Sequence, residues 1–418
     1  MIILRQIPLY LCVLLAAVQV NHIYLGSAAS YAYTLLAGVF LLLLLHEAFG
    51  NIPVFFVRAA NVDLALIFVY TVYSVALGFF YKGDVFQSFV SPLFNLWVIL
   101  FLVAFSRNSV GNSRKFGLAL FAVLLISAVL HLKGAAFRGV SLVDSITSTY
   151  LRYGFHGGHN SVNSVAFNLA LLIVAGYIAS RSFVTAWYRI PMRVLSFSLV
   201  YPLLQTGSRN GLLVVLLTCV CFELFSNTLT GQKSTPGKIV NRLIYGAIIA
   251  GAVAFVYRDD IAVLFERFAI VANATDMSLS SRMSGIKEAF DINSILIGER
   301  YEFSEALGRS ADNTFSQIVH SQGLIGFFLA TLIAFRVPFI ALYGTTFSIP
   351  AISFIFIPII LRGLAEGFYF DRSTLFVFFL FFAASRASVL YGNKALPPPR
   401  RLANRTRSEP PAKLAETK

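Results

Sequence analysis

Residues 204–211, Leu204-Gln205-Thr206-Gly207-Ser208-Arg209-Asn210-Gly211, separate two apolar runs that cover residues 191–204 and 211–225. The runs predict two membrane helices joined by a short polar turn, and Gly207 or Ser208 is suited to begin the second helix. Arg209 then lies at the N-terminal end of that helix, where the helix dipole disfavours a cation. A bound anion would neutralise Arg209; a side chain that extends to the lipid head groups is the alternative.

The composition of the chain indicates a membrane protein. Hydrophobic residues make up 57% of the 418 residues and charged residues only 12%, whereas soluble globular chains carry about 25% charged residues. Several apolar runs reach the roughly 20 residues that cross a bilayer as a helix. We therefore predict an all-α, polytopic fold with one integral membrane domain over residues 1–392.

The apolar runs predict about twelve membrane spans. They lie near residues 7–24, 31–49, 62–80, 86–105, 116–132, 162–178, 191–204, 211–225, 240–257, 315–335, 349–361 and 375–389. Two long connections, residues 133–161 and 258–313, fall on the same side of this layout. The basic, proline-containing tail over residues 393–418 has almost no apolar content and is expected to be disordered.

The distribution of charge predicts the orientation. With the N-terminus in the cytoplasm, about 20 of the 33 Lys and Arg residues and about 5 of the 19 acidic residues lie inside. The inner side then carries about +15 and the outer side about −1, so both termini are cytoplasmic and the long connections face outward. The net charge of +14 follows from this orientation, and we expect no nucleic-acid partner. The tail either contacts anionic lipid head groups or acts only as an orientation signal.

The first outer connection contains the segment Arg152-Tyr153-Gly154-Phe155-His156-Gly157-Gly158-His159-Asn160-Ser161-Val162-Asn163. Its glycines allow close approach of the backbone to a ligand. Arg152 is a candidate phosphate contact, and Asn160 and Asn163 are candidates to bind a sugar or to cap the following span. The two histidines lack a third ligand at a suitable spacing, so we expect no metal site.

Two further arginines stand at predicted helix starts on the outer side. Arg209 follows Ser208, whose turn presents backbone N–H groups outward, and a guanidinium beside such groups makes an anion site. Arg282 lies in Ser281-Arg282-Met283-Ser284-Gly285, in the first turn of a predicted short helix that extends to Phe290. On the outer face of a membrane, the expected anion is a lipid phosphate or diphosphate.

The tenth span begins with Ala311-Asp312-Asn313-Thr314-Phe315 and continues through His320 to Gly323-Leu324-Ile325-Gly326. Asp312 is either a helix N-cap or a carboxylate that accepts a proton from a sugar hydroxyl. Asn313 is a candidate substrate contact. His320 is costly within a span unless it has a partner, and it serves either as a structural contact or as a polar group of the site.

These segments, in this order, resemble the O-antigen polymerase and O-antigen ligase superfamily of bacterial envelope enzymes. The resemblance covers roughly residues 150–385. It is carried by the Arg152 segment before a span, Thr206-Gly207-Ser208-Arg209, Ser281-Arg282 with Ile297-Gly298 downstream, Asp312-Asn313-Thr314-Phe315 ahead of Gly323-Leu324-Ile325-Gly326, and Arg362-Gly363-Leu364-Ala365-Glu366. The ligases of this family usually have a His-Asn pair where this chain has Asp312-Asn313, which favours a polymerase.

The resemblance implies a metal-independent, inverting glycosyltransferase of the GT-C type in the bacterial inner membrane, with no cofactor. Its donor would be a glycan on undecaprenyl diphosphate, and its product O-antigen, capsule or exopolysaccharide. Expected partners besides membrane lipid are a chain-length regulator and a flippase. Transfer of the glycan to lipid A core by a ligase, and a polysaccharide flippase or transporter, are the alternatives.

The expected chemistry assigns a role to each candidate residue. Arg152, Arg209 and Arg282 converge on the diphosphate and stabilise the charge that grows on it as it leaves. Asp312 orients or deprotonates the acceptor hydroxyl. Residues that bind the rest of the substrate are Asn160, Asn163, Ser208, Asn313 and His320.

Overall fold

The computed structural model describes residues 7–25, 61–81, 113–140, 151–153, 162–182, 186–230, 314–341, 356–361 and 375–395, with residues 31, 35, 38, 144–145, 184 and 296–297. These residues form α-helices joined by turns, and none of them lies in a β-strand. The predicted all-α class is therefore confirmed.

Ten helices can be given bounds within the described residues, and residues 356–361 are also helical. In chain order they are α1 (Ile7–Val20), α2 (His22–Leu25), α3 (Asn61–Tyr81), α4 (Ser113–Ala136), α5 (Val162–Ser182), α6 (Ala186–Ser198), α7 (Val200–Gln205), α8 (Arg209–Thr230), α9 (Thr314–Ala341) and α10 (Leu375–Ala395). Two of these helices are long and apolar enough to cross a membrane, over Lys115–Ala136 and Val162–Ser182, by length and composition. The count of about twelve spans stays a prediction, because those near residues 31–49, 86–105, 240–257 and 349–361 lie wholly or mostly outside the described residues.

The helices overlap the predicted spans and mostly extend beyond them. Hydropathy predicts helices that are too short, because the last turn of a helix often carries polar residues whose backbone still forms the helical hydrogen bonds. Two helix ends differ from the predicted span ends. Helix α4 continues to Ala136, past the predicted start of the connection at residue 133, and α6 begins at Ala186, before Pro191. That proline lies inside α6, since it removes only one backbone hydrogen bond from a helix that already began at Ala186.

Helix α5 forms the centre of the described bundle, with 17 of its 21 residues buried. Helices α6, α8 and α10 pack around it. On the α10 side, the rings of Phe167 and Phe378 lie 5.1 Å apart between centroids, and both side chains are fully buried. Helix α10 is in turn capped by α1, because Gln19 Oε1 accepts hydrogen bonds from the amides of Phe376 at 2.7 Å and Val377 at 3.2 Å.

Helices α5 and α8 run side by side in the same direction. Near their N-terminal ends, a Cβ atom at Gly211 would lie 3.2 Å from Ala166. Near their C-terminal ends, Arg181 forms an ion pair with Glu223 at 2.7 Å. The bundle therefore has two opposite ends.

The first end, called here the Tyr153 end, holds Val20, Tyr24, His131, Tyr153 and Gln205, which are joined by hydrogen bonds. The second, called the Glu223 end, holds Tyr177, Arg181, Ser182, Glu223 and Ser388. The charge-based topology assigns the first group to outer ends of spans or an outer connection, and the second group to cytoplasmic ends. The two groups are compatible with that assignment, and the orientation in the membrane stays a prediction.

Candidate functional site

The turn between α7 and α8 is built from Thr206, Gly207 and Ser208. Thr206 Oγ1 donates to the carbonyl oxygen of Leu203 at 2.6 Å and accepts from the Ser208 amide at 3.2 Å. Gly207 has a φ of 60°, and its amide donates to the carbonyl oxygen of Leu204 at 2.9 Å. A positive φ of this kind favours glycine, so the Thr-Gly-Ser sequence forms a tight, internally bonded turn.

Ser208 caps α8, which begins at Arg209. The Ser208 hydroxyl oxygen accepts from the amide of Gly211 at 3.4 Å, the relation expected between an N-cap side chain and the third helical residue. The prediction that this turn begins the helix is confirmed. Arg209 is half-buried in the first turn of α8, at the positive end of the helix dipole.

A second turn, Leu151–Tyr153, lies against the first. The amide of Tyr153 donates to the carbonyl oxygen of Gln205, the last residue of α7, at 3.0 Å. This bond joins the neighbour of Arg152 to the residue that precedes the Thr206–Ser208 turn. Arg152 therefore lies in a turn that is hydrogen-bonded to the end of α7, and Arg209 begins α8 after the three-residue turn that follows.

Arg138 belongs to the same group, although the sequence argument did not select it. Its Nη2 donates to the carbonyl oxygen of Leu151 at 2.6 Å, and its Cζ lies 5.8 Å from the centroid of the Tyr153 ring, within cation–π distance. Its position in the same predicted outer connection as Arg152 was the available signal. Arg138 Nη1 and Arg152 Nε are both buried and have no hydrogen-bond acceptor among the described residues.

The hydroxyl of Tyr153 is held from two other helices. It bonds to the hydroxyl of Tyr24 in α2 and lies 2.8 Å from Nδ1 of His131 in α4. Burial, followed by the hydrogen bond with Tyr24, raises the pKa of the Tyr153 phenol above its ordinary value. The phenol is therefore a neutral hydrogen-bonding group at physiological pH.

The guanidinium groups at the two ends of the bundle differ in their partners. At the Glu223 end, Arg181 donates to both carboxylate oxygens of Glu223, at 2.7 and 3.0 Å, and Tyr177 donates to the same carboxylate at 2.6 Å. At the Tyr153 end, Arg138 and Arg152 each keep one buried nitrogen without an acceptor in the described part of the chain. The second arrangement suits an anionic ligand, since an unmade bond to a buried donor costs about 1–3 kcal/mol.

A separate contact joins the third and fourth sequence segments. Helix α9 has a kink at Gly323, where φ is 67° and ψ is −172°, outside the helical region. The Leu296–Ile297 turn fits into this kink: the Ile325 amide donates to the Leu296 carbonyl oxygen at 3.2 Å, and a Cβ atom at Gly323 would collide with that oxygen. Tyr73 of α3 closes the contact by donating to the Gln322 carbonyl oxygen at 2.6 Å.

The remaining candidate residues are placed as follows. Asn163 is the second residue of α5 and is half-buried. His320 lies within α9, and its side chain is outside what the structure describes. The candidates that lie outside the described residues are Asn160, Arg282, Asp312 and Asn313. Within the described ranges, no group of three or more His, Cys, Asp or Glu side chains could hold a metal ion.

No protein-family model and no curated protein sequence matches the chain.

Proposed function

We propose that the protein polymerises oligosaccharide repeat units carried on undecaprenyl diphosphate at the outer face of the bacterial inner membrane. The observation that carries this proposal is the hydrogen bond from Tyr153 to Gln205, which holds the turn of Arg152 against the end of α7, next to the turn that leads to Arg209. Two cationic side chains on adjoining turns, one of them at a helix N-terminus, suit a ligand with two negative phosphate groups.

The chemistry of the reaction fits such a site. A glycosyl diphosphate already has a good leaving group, so the barrier lies in the charge that grows on the diphosphate and in placing the acceptor hydroxyl. Each charge-assisted hydrogen bond contributes about 1.5–3 kcal/mol, and preorganised donors contribute more where water is excluded. Arg282 would supply a third guanidinium, and Asp312 would orient or deprotonate the acceptor hydroxyl of a second lipid-linked repeat. In-line attack inverts the anomeric carbon.

Exposed apolar side chains support a lipid environment for the bundle. Along α6, the outward side chains are Trp187 at 89%, Ile190 at 70%, Val194 at 61% and Phe197 at 54% exposure. Their spacing places them on one face of the helix. A face of this size and character is suited to contact with acyl chains. Together with the two long apolar helices, it supports a protein that crosses the membrane; the cytoplasmic placement of both termini rests on the distribution of Lys and Arg.

The test uses purified full-length protein in nanodiscs with labelled undecaprenyl-diphosphate-linked repeats. We expect a ladder of longer lipid-linked glycans. The substitution Arg209→Ala should reduce its rate of formation, and Arg189→Ala is a matched control, because Arg189 is exposed at the predicted cytoplasmic side. Movement of the repeats across a bilayer without elongation would support a flippase instead. Transfer to lipid A core, with no elongation on the diphosphate, would support a ligase.

A further inference from the structure

His131 is a fully buried histidine in α4 with a partner at each ring nitrogen. Nε2 lies 3.0 Å from the carbonyl oxygen of Val20, and Nδ1 lies 2.8 Å from the hydroxyl of Tyr153. A carbonyl oxygen only accepts hydrogen bonds, so Nε2 carries the proton in the neutral ring. Nδ1 then accepts from the Tyr153 hydroxyl, whose oxygen in turn accepts from Tyr24. The histidine thus sets the direction of the tyrosine hydroxyl.

The ring stacking around His131 adds to these bonds. Its ring meets those of Tyr24 and Tyr153 edge to face, at 5.3 and 5.8 Å between centroids. At the other end of Tyr153, the backbone amide is held by Gln205. Tyr153 is therefore held at its hydroxyl by α2 and α4 and at its amide by α7. The adjoining residue, Arg152, is consequently held in register with the turn that precedes α8.

We propose that His131 is a positioning residue of the diphosphate site, which acts through Tyr153 to hold the turn of Arg152 beside the turn of Arg209. The identity of the anion rests on the proposed function, whereas the holding of the turn does not. An anion binds more tightly to donors that are already in place, because ordering a turn on binding costs free energy. Release of the turn should weaken anion binding without removing any group that contacts the anion.

Two substitutions release the turn from opposite sides. Tyr153→Phe removes the hydroxyl and keeps the ring and the amide, and His131→Ala removes the acceptor. Two quantities are measured on the full chain in nanodiscs: the rate of trypsin cleavage between Arg152 and Tyr153, and the Kd of inorganic diphosphate. Cleavage follows the fraction of protein in which the turn is open.

We expect each single variant to raise the cleavage rate and the Kd about fivefold, the effect of one typical buried hydrogen bond. The double variant should also raise the cleavage rate and the Kd about fivefold. The two effects should not multiply, because the two residues act as one unit. Tyr177→Phe is the matched control. It also removes a hydroxyl with a 2.6 Å hydrogen bond, but at the Glu223 end. It should lower the melting temperature to a similar extent and leave both measured quantities unchanged.

Unchanged cleavage in both single variants would overturn the inference. Three other results would also overturn it. They are faster cleavage with an unchanged Kd, equal changes of cleavage rate and Kd in the Tyr177→Phe control, and a wild-type protein that does not bind diphosphate. If both effects are found and the wild-type protein does not elongate lipid-linked repeats, the polymerase proposal fails and the role of His131 stands. If the wild-type protein elongates the repeats and cleavage does not change in the variants, the role of His131 fails and the polymerase proposal stands.

Discussion

The amide of Tyr153 donates a 3.0 Å hydrogen bond to the carbonyl oxygen of Gln205, across a separation of more than fifty positions in the chain. This bond brings the connection between α4 and α5 against the end of α7, next to the turn that opens α8. Each of the two segments carries one of the arginines selected from the sequence. The predictions below follow from this arrangement and from the contacts that support it.

Replacement of Arg209 tests its role as a diphosphate ligand. Arg209→Ala removes the charge and all five donors, and we expect the rate of polymer formation to fall about 10- to 100-fold, the loss of a hydrogen bond to a charged group. Arg209→Lys keeps the charge and loses the planar fork, so an intermediate rate is expected. Polymer length is read on gels. A normal ladder from either variant, present in the membrane in normal amounts, would remove Arg209 from the mechanism.

Substitutions at Ser208 separate helix capping from anion binding. Asn and Asp both cap helices well and have nearly the same shape, so Ser208→Asn and Ser208→Asp should retain the helix start. The aspartate should stabilise α8 further through the helix dipole, and should weaken diphosphate binding at least about tenfold by repulsion. The Kd of diphosphate and the melting temperature of both variants are compared. Equal affinities would mean that no anion binds at this helix start.

Gly323→Ala tests the kink in α9. The new Cβ atom would collide with the carbonyl oxygen of Leu296, and φ at this position is 67°, which L-residues rarely adopt. We expect a loss of stability of about 2–4 kcal/mol, since strain and collision add. Gly38→Ala is the control, because no described residue lies within 4 Å of its Cβ position. Thermal unfolding in detergent measures both, and equal melting temperatures would contradict the described kink.

Asp312→Asn tests the carboxylate. Asparagine caps a helix about as well as aspartate but does not accept a proton, so folding should be retained. We expect the elongation rate to fall about 100-fold, within the range for general base catalysis. Asp312→Ala, which loses both roles, should also lower the melting temperature. Full activity of the asparagine variant would show that Asp312 serves only as a cap.

The helices and the Thr206–Ser208 turn were predictable because their causes are local. Apolar length marked α4 and α5, and a glycine followed by serine before an apolar run marked the turn and cap of α8. The start of α6 was missed because the charge of Arg189, just after Trp187, was taken to lie outside the apolar span. A helix with one apolar face can contain both residues.

The contacts around Tyr153 were not predictable from the sequence. His131 was one of several histidines in or near apolar runs, and its partners, Val20 and Tyr153, are set by the packing of three helices. Arg138 was one outer basic residue among several. Local periodicity carries no information about which helix ends meet, so the convergence of Arg152, Arg209 and Arg282 was predicted from the expected chemistry and not from packing.

The most direct test of the arginine site is an experimental structure of the protein in nanodiscs with undecaprenyl diphosphate bound. The account predicts that the guanidinium groups of Arg152 and Arg209 lie within about 3 Å of phosphate oxygens, at the end of the bundle that faces away from the cytoplasmic termini. A diphosphate bound elsewhere, or the two guanidinium groups far apart or facing the cytoplasm, would contradict it.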